Sequence, residues 1–439
     1  MPPRDIRWVE AQGRQGVEST MARMPGGKSR VAMDRRTFLA IAAAAAALAA
    51  TSLVAQPQAQ ASGAELLKVV TGPYLQSGSE TTITIMWITN RNATGAVEFG
   101  PPSGELKTTA NSHDGLVDSN ERIHRVVLTD LSPGAVYRYR VVSRDILNFG
   151  SNKVDFGETV ASEFQEFRTF DRRKQDLSFL VFNDIHDIPA TIRDLLKVNG
   201  DRPYDFVVLN GDTVSAFDKE GRITAILDQA VSSFASRVPL FWARGNHETR
   251  GGFARQFPAY VASPNGRYFY SFDHGPVHFI VLDTGEDKTD NHPEYSGLAD
   301  FERYRREEAE WLRAEVKTAA FLRARYRVVF AHMPFPAAPA PPRAGAAPSP
   351  FTGMEDDFQN FGATLDQAGI DMMISGHVHT SALIKPEPGR HSYPIVRGGG
   401  PKDQGRTLIR VDVKGRTLEA AILRPDGTAV GTCKVDAKR

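Results

Sequence analysis

Only one cysteine, Cys433, occurs in the 439 residues. An intramolecular disulfide is therefore excluded, and so is a thiolate-rich zinc site. Cys433 sits in a polar C-terminal stretch and reads as inert. Neither sign of charge dominates, with 53 Lys and Arg against 52 Asp and Glu. Without a net field for counterion release or long-range steering, no nucleic-acid preference is evident, nor attraction to an anionic membrane. Long apolar runs are scarce as well: the stretch from Ala40 to Ala55 is short and mostly alanine, too weakly apolar to span a bilayer stably. No internal repeat is apparent. What is present is ordinary globular composition, 41% hydrophobic and 24% charged, with length for two or three domains.

The alanine-rich stretch has a telling context. Asp34-Arg35-Arg36-Thr37-Phe38-Leu39 precedes it, and Ala59-Gln60-Ala61 follows as a small-residue peptidase site. This is the pattern of a twin-arginine (Tat) signal peptide. It implies passage through the Tat export machinery as a folded protein, a periplasmic or secreted destination, and no stable membrane span after cleavage. Residues 1–32 show no periodicity, and Met24 and Met33 are alternative translation starts. Residues 1–61 are accordingly expected to be an N-terminal extension and signal peptide.

From Leu66 to Phe170 the pattern is all strand. Thr82-Ile83-Thr84-Ile85-Met86-Trp87 alternates with period two, and further strands are expected at Ala96–Phe99, His124–Leu128 and Tyr137–Val142, between Gly, Pro, Asn and Asp clusters. The reading is an all-β sandwich. Its segment Leu131-Ser132-Pro133-Gly134-Ala135-Val136-Tyr137-Arg138-Tyr139 resembles the turn and tyrosine corner of fibronectin type III domains. Gly72-Pro73-Tyr74-Leu75-Gln76, followed by the Trp87 strand, resembles the N-terminal domain of purple acid phosphatases. A fibronectin type III-like domain over residues 62–171 is expected.

Charge density jumps at Asp171-Arg172-Arg173-Lys174-Gln175, and short apolar strands then alternate with helical patterns. That is the signature of an α/β sheet buried on both faces. Strands are expected at Leu177–Phe182, Phe206–Leu209, Leu240–Ala243, Val277–Leu282, Arg327–Phe330 and Met372–Ile374, with two later ones at Thr407–Val413 and Leu418–Leu423. Helices are expected at Ala190–Val198, Ile223–Phe234 and Phe301–Lys317, the last as a solvated face. Pro334–Pro350, rich in Ala and Pro, reads as a loop, either a surface excursion or a border of the site.

Nearly every apolar strand of this second domain runs into a potential metal ligand. Asn183-Asp184-Ile185-His186, Asn210-Gly211-Asp212, Arg244-Gly245-Asn246-His247-Glu248, Ala331-His332 and Ser375-Gly376-His377-Val378-His379 each follow a strand. Loops at the carboxyl ends of such strands form the binding crevice, so these residues can converge. Carboxylates, imidazoles and one amide make a mixed O/N set suited to Fe, Mn or Zn. Gly211, Gly245 and Gly376 permit close backbone approach. His274, His278 and His292 are competing candidates for His332; Asp283 is expected to be structural or to support the ligand residues from behind, and Arg244 and Arg250 could meet a phosphate.

The ordered set closely resembles the calcineurin-like metallophosphoesterase superfamily, whose motifs span Asp184 to His379 here. The resemblance implies a double β-sheet core flanked by helices over residues 172–439, and two transition-metal ions, divalent or trivalent. It assigns Asp184, His186 and His379 to one metal and Asn246, His332 and His377 to the other. Asp212 bridges both, and His247 is the general acid. Purple acid phosphatases carry a metal-binding tyrosine three positions after the aspartate of Gly-Asp, where this chain has Ser215. A colourless or weakly coloured protein is therefore expected.

The chemistry explains the residue types. Two cations can activate a water, hold phosphoryl oxygens and offset charge in an in-line transition state, while a protonated imidazole serves the leaving oxygen. The expected activity is hydrolysis of small phosphomonoesters by metal-activated hydroxide with His247 as acid. The alternatives are a phosphodiesterase on nucleotides or glycerophosphodiesters and, from another class, a catalytically inert binding or adhesion protein.

Overall fold

The computed structural model describes residues 6–10, 65–337 and 352–437. These belong almost wholly to one compact unit, residues 1–11 and 67–439. The Tat motif, its alanine-rich stretch and residues 338–350 of the expected proline-rich loop lie outside the described residues.

Two sheets face each other across the core. The first carries the parallel strands Leu177–Phe182, Phe206–Asn210 and Leu240–Ala243, extended on one side by the antiparallel strands Leu408–Lys414, Thr417–Leu423 and Ala429–Asp436. The second sheet runs Tyr270–His274, Val277–Leu282, Tyr326–Ala331, Met372–Ser375, Ile395–Arg397, Ala382–Ile384. Period-two alternation divides the side chains between layers. Phe179 and Val181 point into the space between the sheets and meet Phe279, Val281 and Phe330 of the second. Leu180 and Phe182 point outward and are covered by helices Ala190–Asn199 and Glu220–Ala230. The second of these buries Ile223, Ile226, Leu227 and Ala230, a stripe at helical spacing. A five-residue wide turn, Val231–Ala235, ends the stretch that the sequence pattern treats as one helix.

The sandwich is joined to the α/β part by more than its linker. Its first strand, Val69–Gln76, continues the first sheet, with Gln76 opposite Leu240. Tyr74 and Tyr139 donate their hydroxyls to the carbonyls of Tyr260 (3.1 Å) and Ser236 (2.8 Å). Inside the sandwich Trp87 is fully buried, donates its indole N–H to Ser143 Oγ at 2.9 Å and stacks on His124. The hydroxyl of Tyr137 accepts the Ser132 N–H at 2.9 Å, closing the tyrosine corner.

One expectation needs correction, and two segments hold more than their sequence pattern shows. Helix Phe301–Glu315 is more than a solvated face: Arg305 is fully buried, paired with the buried Asp357 at 2.7 Å and donating to the Thr284 carbonyl at 2.8 Å. Cys433 lies in a strand whose alternate residues are buried; it faces the core, and burial pushes its thiol up to about 12. Within the expected N-terminal extension, Ile6–Glu10 forms a strand antiparallel to Ala429–Asp436.

Candidate metal centre

The loops after the parallel strands converge as the α/β pattern requires. They are laced by backbone hydrogen bonds: the N–H groups of Asp184, His186 and Asp187 donate to the carbonyls of Gly211, Asp212 and Thr213, at 3.1, 2.9 and 3.0 Å. Asp184, His186, Asp212, His377 and His379 all have left-handed backbone, with φ between 45° and 70°. Non-glycine residues rarely adopt it, and each case costs about 1–3 kcal/mol unless the surroundings enforce it. Five such residues meeting at one point mark a built site. Gly211, at φ 83°, lies against the His332 ring, where an added Cβ would fall 2.2 Å from Nδ1.

Among the described residues two ligand groups result, and they overlap. Asp184, His186, Asp212 and His379 bring one ligand atom each within 4.8 Å of one another; Asp212, His332 and His377 do the same. Asp212 belongs to both. Asn246 stands beside the second group, its Oδ1 3.1 Å from His377 Nδ1. His247 holds its backbone N–H on Asp212 Oδ1 at 3.0 Å and its Nε2 3.7 Å from Asp212 Oδ2. Asp184, Asp212, Asn246 and His332 are buried, whereas His186, His247 and His379 keep some access to solvent. The centre opens on their side.

The electrostatics suit cations. Burial, reinforced by Asp212, pushes Asp184 well above the usual carboxylate range. Burial acts the same way on Asp212, but His332 overcomes it and holds that carboxyl low; in turn Asp212 outweighs burial to raise His332. Positive charge is thus favoured at the shared carboxylate. His186 and His377 are lowered by burial to about 4 and about 3, and His379 is lowered too. They are neutral imidazoles near pH 7, the form that ligates. His332 donates Nδ1–H to the Asn210 carbonyl at 2.9 Å, which leaves Nε2, 3.1 Å from Asp212 Oδ2, facing the centre.

All eight residues expected from the sequence therefore lie together, His332 included. The competing histidines lie elsewhere. His278 is buried between Asp273 (2.8 Å) and Glu315 (3.1 Å); His274 stacks on Phe170; His292 accepts the Glu294 N–H. Arg244 and Arg250 are engaged by Asp283 (2.6 Å) and Glu286 (2.8 Å), so neither presents an unpaired guanidinium to a phosphate. Two features escaped sequence reasoning. Glu248, present in the Gly-Asn-His-Glu motif, is a buried clamp on the Asp212 loop. Gly398-Gly399-Gly400 packs beneath Asn183 and His379, with no local pattern to announce it.

Paired mixed sheets carrying a carboxylate–imidazole cluster at one strand end, behind a β-rich domain, define a metallophosphoesterase fold. Residues 177–381 match the calcineurin-like phosphoesterase family and residues 71–169 the purple acid phosphatase N-terminal domain; the chain carries both domains. It is 27% identical over 253 residues to acid phosphatase type 7 of Danio rerio, covering 55% of this chain and 52% of that protein. Over 218 residues it is 28% identical to acid phosphatase type 7 of Homo sapiens, covering 47% of each. It is also 24% identical over 340 residues to purple acid phosphatase 21 of Arabidopsis thaliana, covering 72% of this chain and 68% of that one. The match thus spans about half the length of the acid phosphatase type 7 proteins. In fold, the chain is similar to purple acid phosphatase PPD1 of yellow lupin, with a TM-score of 0.60 at 17% identity over 83% of this chain and 74% of that one.

Proposed function

We propose that the chain is an exported, two-metal phosphoesterase that releases phosphate from small phosphomonoesters. The observation that carries this is the sharing of Asp212 between two ligand groups with His247 alongside. In this reading Asp184, His186 and His379 would hold one cation, Asn246, His332 and His377 the other, and Asp212 would serve both. When bound, the cations supply an activated water and positive charge for the phosphoryl oxygens. The protein's part is to fix that constellation through strained loops and buried hydrogen bonds. His247, whose Nδ1 lies 2.6 Å from the Ser215 carbonyl, keeps Nε2 to hand a proton to the leaving oxygen. The names of the relatives, acid phosphatases, agree with monoester hydrolysis. The division of labour between a 62–171 sandwich and a 172–439 catalytic domain is part of the same reading.

An aryl phosphate and a bis-aryl phosphate, each assayed with and without chelator, test it. Metal-dependent turnover of the monoester in excess is expected. Faster diester cleavage would make the protein a phosphodiesterase, and metal-independent silence toward both would leave a binding protein. Asp212→Ala is expected to abolish metal occupancy and turnover together, and His247→Ala to cost about 10²–10⁴-fold. For export, Arg35→Lys with Arg36→Lys is expected to strand the protein inside the cell. Cleavage after Ala61 would remove the strand Ile6–Glu10 from the sheet edge, so N-terminal sequencing of secreted protein decides both points.

A further inference from the structure

The residue after the ligand His186 is Asp187, which belongs to neither ligand group. Its backbone is left-handed, with φ 61°, and its carboxylate is directed at the loop that follows Asp212. Oδ2 accepts the Ser215 N–H at 3.0 Å and a guanidinium N–H of Arg222 at 2.5 Å. Arg222 is itself fixed, its Nε and Nη2 donating to the two carboxylate oxygens of Asp218 at 2.6 and 3.1 Å. Ser215 is thus held at its amide. Its carbonyl is the oxygen that faces His247 Nδ1 at 2.6 Å.

Ser215 is solvent-exposed and sits in a loop, with its N–H on Asp187 and its carbonyl on His247. An acceptor on the N–H fixes one of the two peptide planes that flank Ser215 and so narrows the directions open to its carbonyl. His247 is a quarter exposed, and among the described residues the Ser215 carbonyl is the hydrogen-bond partner of its ring. The direction of the carbonyl therefore decides which way Nε2 points. We propose that Asp187, braced by Arg222, is a positioning residue for His247: it holds the Ser215 backbone so that the imidazole keeps Nδ1 on the carbonyl and Nε2 toward the leaving group. The proposal rests on the phosphoesterase reading for its consequence, though not for its geometry.

Loss of a positioned proton donor matters in proportion to how badly the departing oxygen needs a proton. In Asp187→Ala, kcat for a simple alkyl phosphate is expected to fall about 10–100-fold, kcat for p-nitrophenyl phosphate by less than about threefold, with KM and metal content unchanged. Equal losses on both substrates, or a fall in metal content, would mean a structural role and overturn it. So would no loss at all. A second readout needs no turnover. In protein labelled with ¹⁵N-histidine, the Nδ1–H resonance assigned to His247 by its disappearance in His247→Gln should be lost or rapidly exchanging in Asp187→Ala, while the other histidine signals persist. Its survival would overturn the proposal. If the wild type hydrolyses neither ester, the phosphoesterase reading fails and this resonance alone judges the geometry. Should Asp187→Ala not fold, Arg222→Gln carries the same two expectations in the same direction.

Discussion

Glu248 and Thr213 are joined twice: Oε1 of the glutamate accepts the backbone N–H of Thr213 at 2.7 Å and its hydroxyl at 2.6 Å. The other oxygen accepts the N–H groups of Asp212 and Gly245, both at 2.9 Å. A single buried carboxylate thus binds the loop of the shared ligand to the loop of Asn246 and His247.

Removing that clamp strands four buried donors. Glu248→Ala is expected to destabilise the fold by on the order of 3 kcal/mol or more and to lower metal content, because the Asp212 loop loses its tie. Glu248→Gln keeps the shape but turns an amide NH₂ toward at least one donor, so an intermediate loss of about 1–3 kcal/mol is expected. Urea unfolding and metal analysis of the two variants check the order. A clamp without consequence would leave Glu248→Ala as stable as the wild type.

Gly400 tests the floor under His379. An added Cβ would lie 2.4 Å from His379 Cβ and 2.9 Å from its Cα, too close for either to stay in place. Gly400→Ala is expected to displace His379 and weaken the metal group it shares with Asp184 and His186, leaving the group of His332 and His377 filled. Metal stoichiometry falling toward one per chain is the predicted result, against two for the wild type.

These two cases show where the sequence was legible and where it was not. Strands such as Leu177–Phe182 and Val277–Leu282 are buried on both faces, so their apolar runs are continuous and their ends unambiguous. Ligands placed at those ends could be read in order. Partnerships across the chain could not: Arg244 reads as a free cation until the fold brings Asp283 to it, 39 residues on. Gly398-Gly399-Gly400 reads as an ordinary loop until His379 is laid over it. Short strands such as Ala382–Ile384 and Ile395–Arg397 hold three residues each, too few for a period to show. Cys433 reads only as part of a polar stretch because its polar neighbours in sequence point to the opposite face of its strand.

His278 gives the stability of the protein a pH dependence of predictable sign. Burial alone would lower it, but the flanking carboxylates of Asp273 and Glu315 prevail and raise it above its ordinary value. Glu315 is held below its usual range chiefly by the same contact. A histidine raised on folding stabilises fully below its unfolded pKa of about 6.5, and that contribution is lost as pH rises through the folded value. The melting temperature of the wild type is therefore expected to decline from near pH 6.5 upward relative to His278→Gln. Parallel pH profiles for the two proteins would remove the assignment.

The visible spectrum is expected to separate this centre from those of the purple enzymes its sandwich resembles. Ser215 occupies the position of their metal-binding tyrosine, and here it contributes its backbone carbonyl to His247 instead. The metal-loaded protein is expected to show no intense charge-transfer band. A strong band in purified protein would require a phenolate from elsewhere in the chain.

Metal removal should cost stability as well as turnover, for a reason visible in the backbone. The left-handed conformations of Asp184, His186, Asp212, His377 and His379 are unfavourable by about 1–3 kcal/mol each, and the carboxylates of Asp184 and Asp212 are buried side by side. Cations that bind only the folded chain offset this strain. At a free concentration near 100 times its dissociation constant, one ion adds about 2.7 kcal/mol. With roughly 2–4 °C per kcal/mol for a domain of this size, chelation is expected to lower the melting temperature by about 5–10 °C per ion lost. The same chelator should leave Asp212→Ala unmoved, since that variant has no shared ligand to vacate. Equal shifts in both proteins would show that the chelator, and not the centre, is responsible.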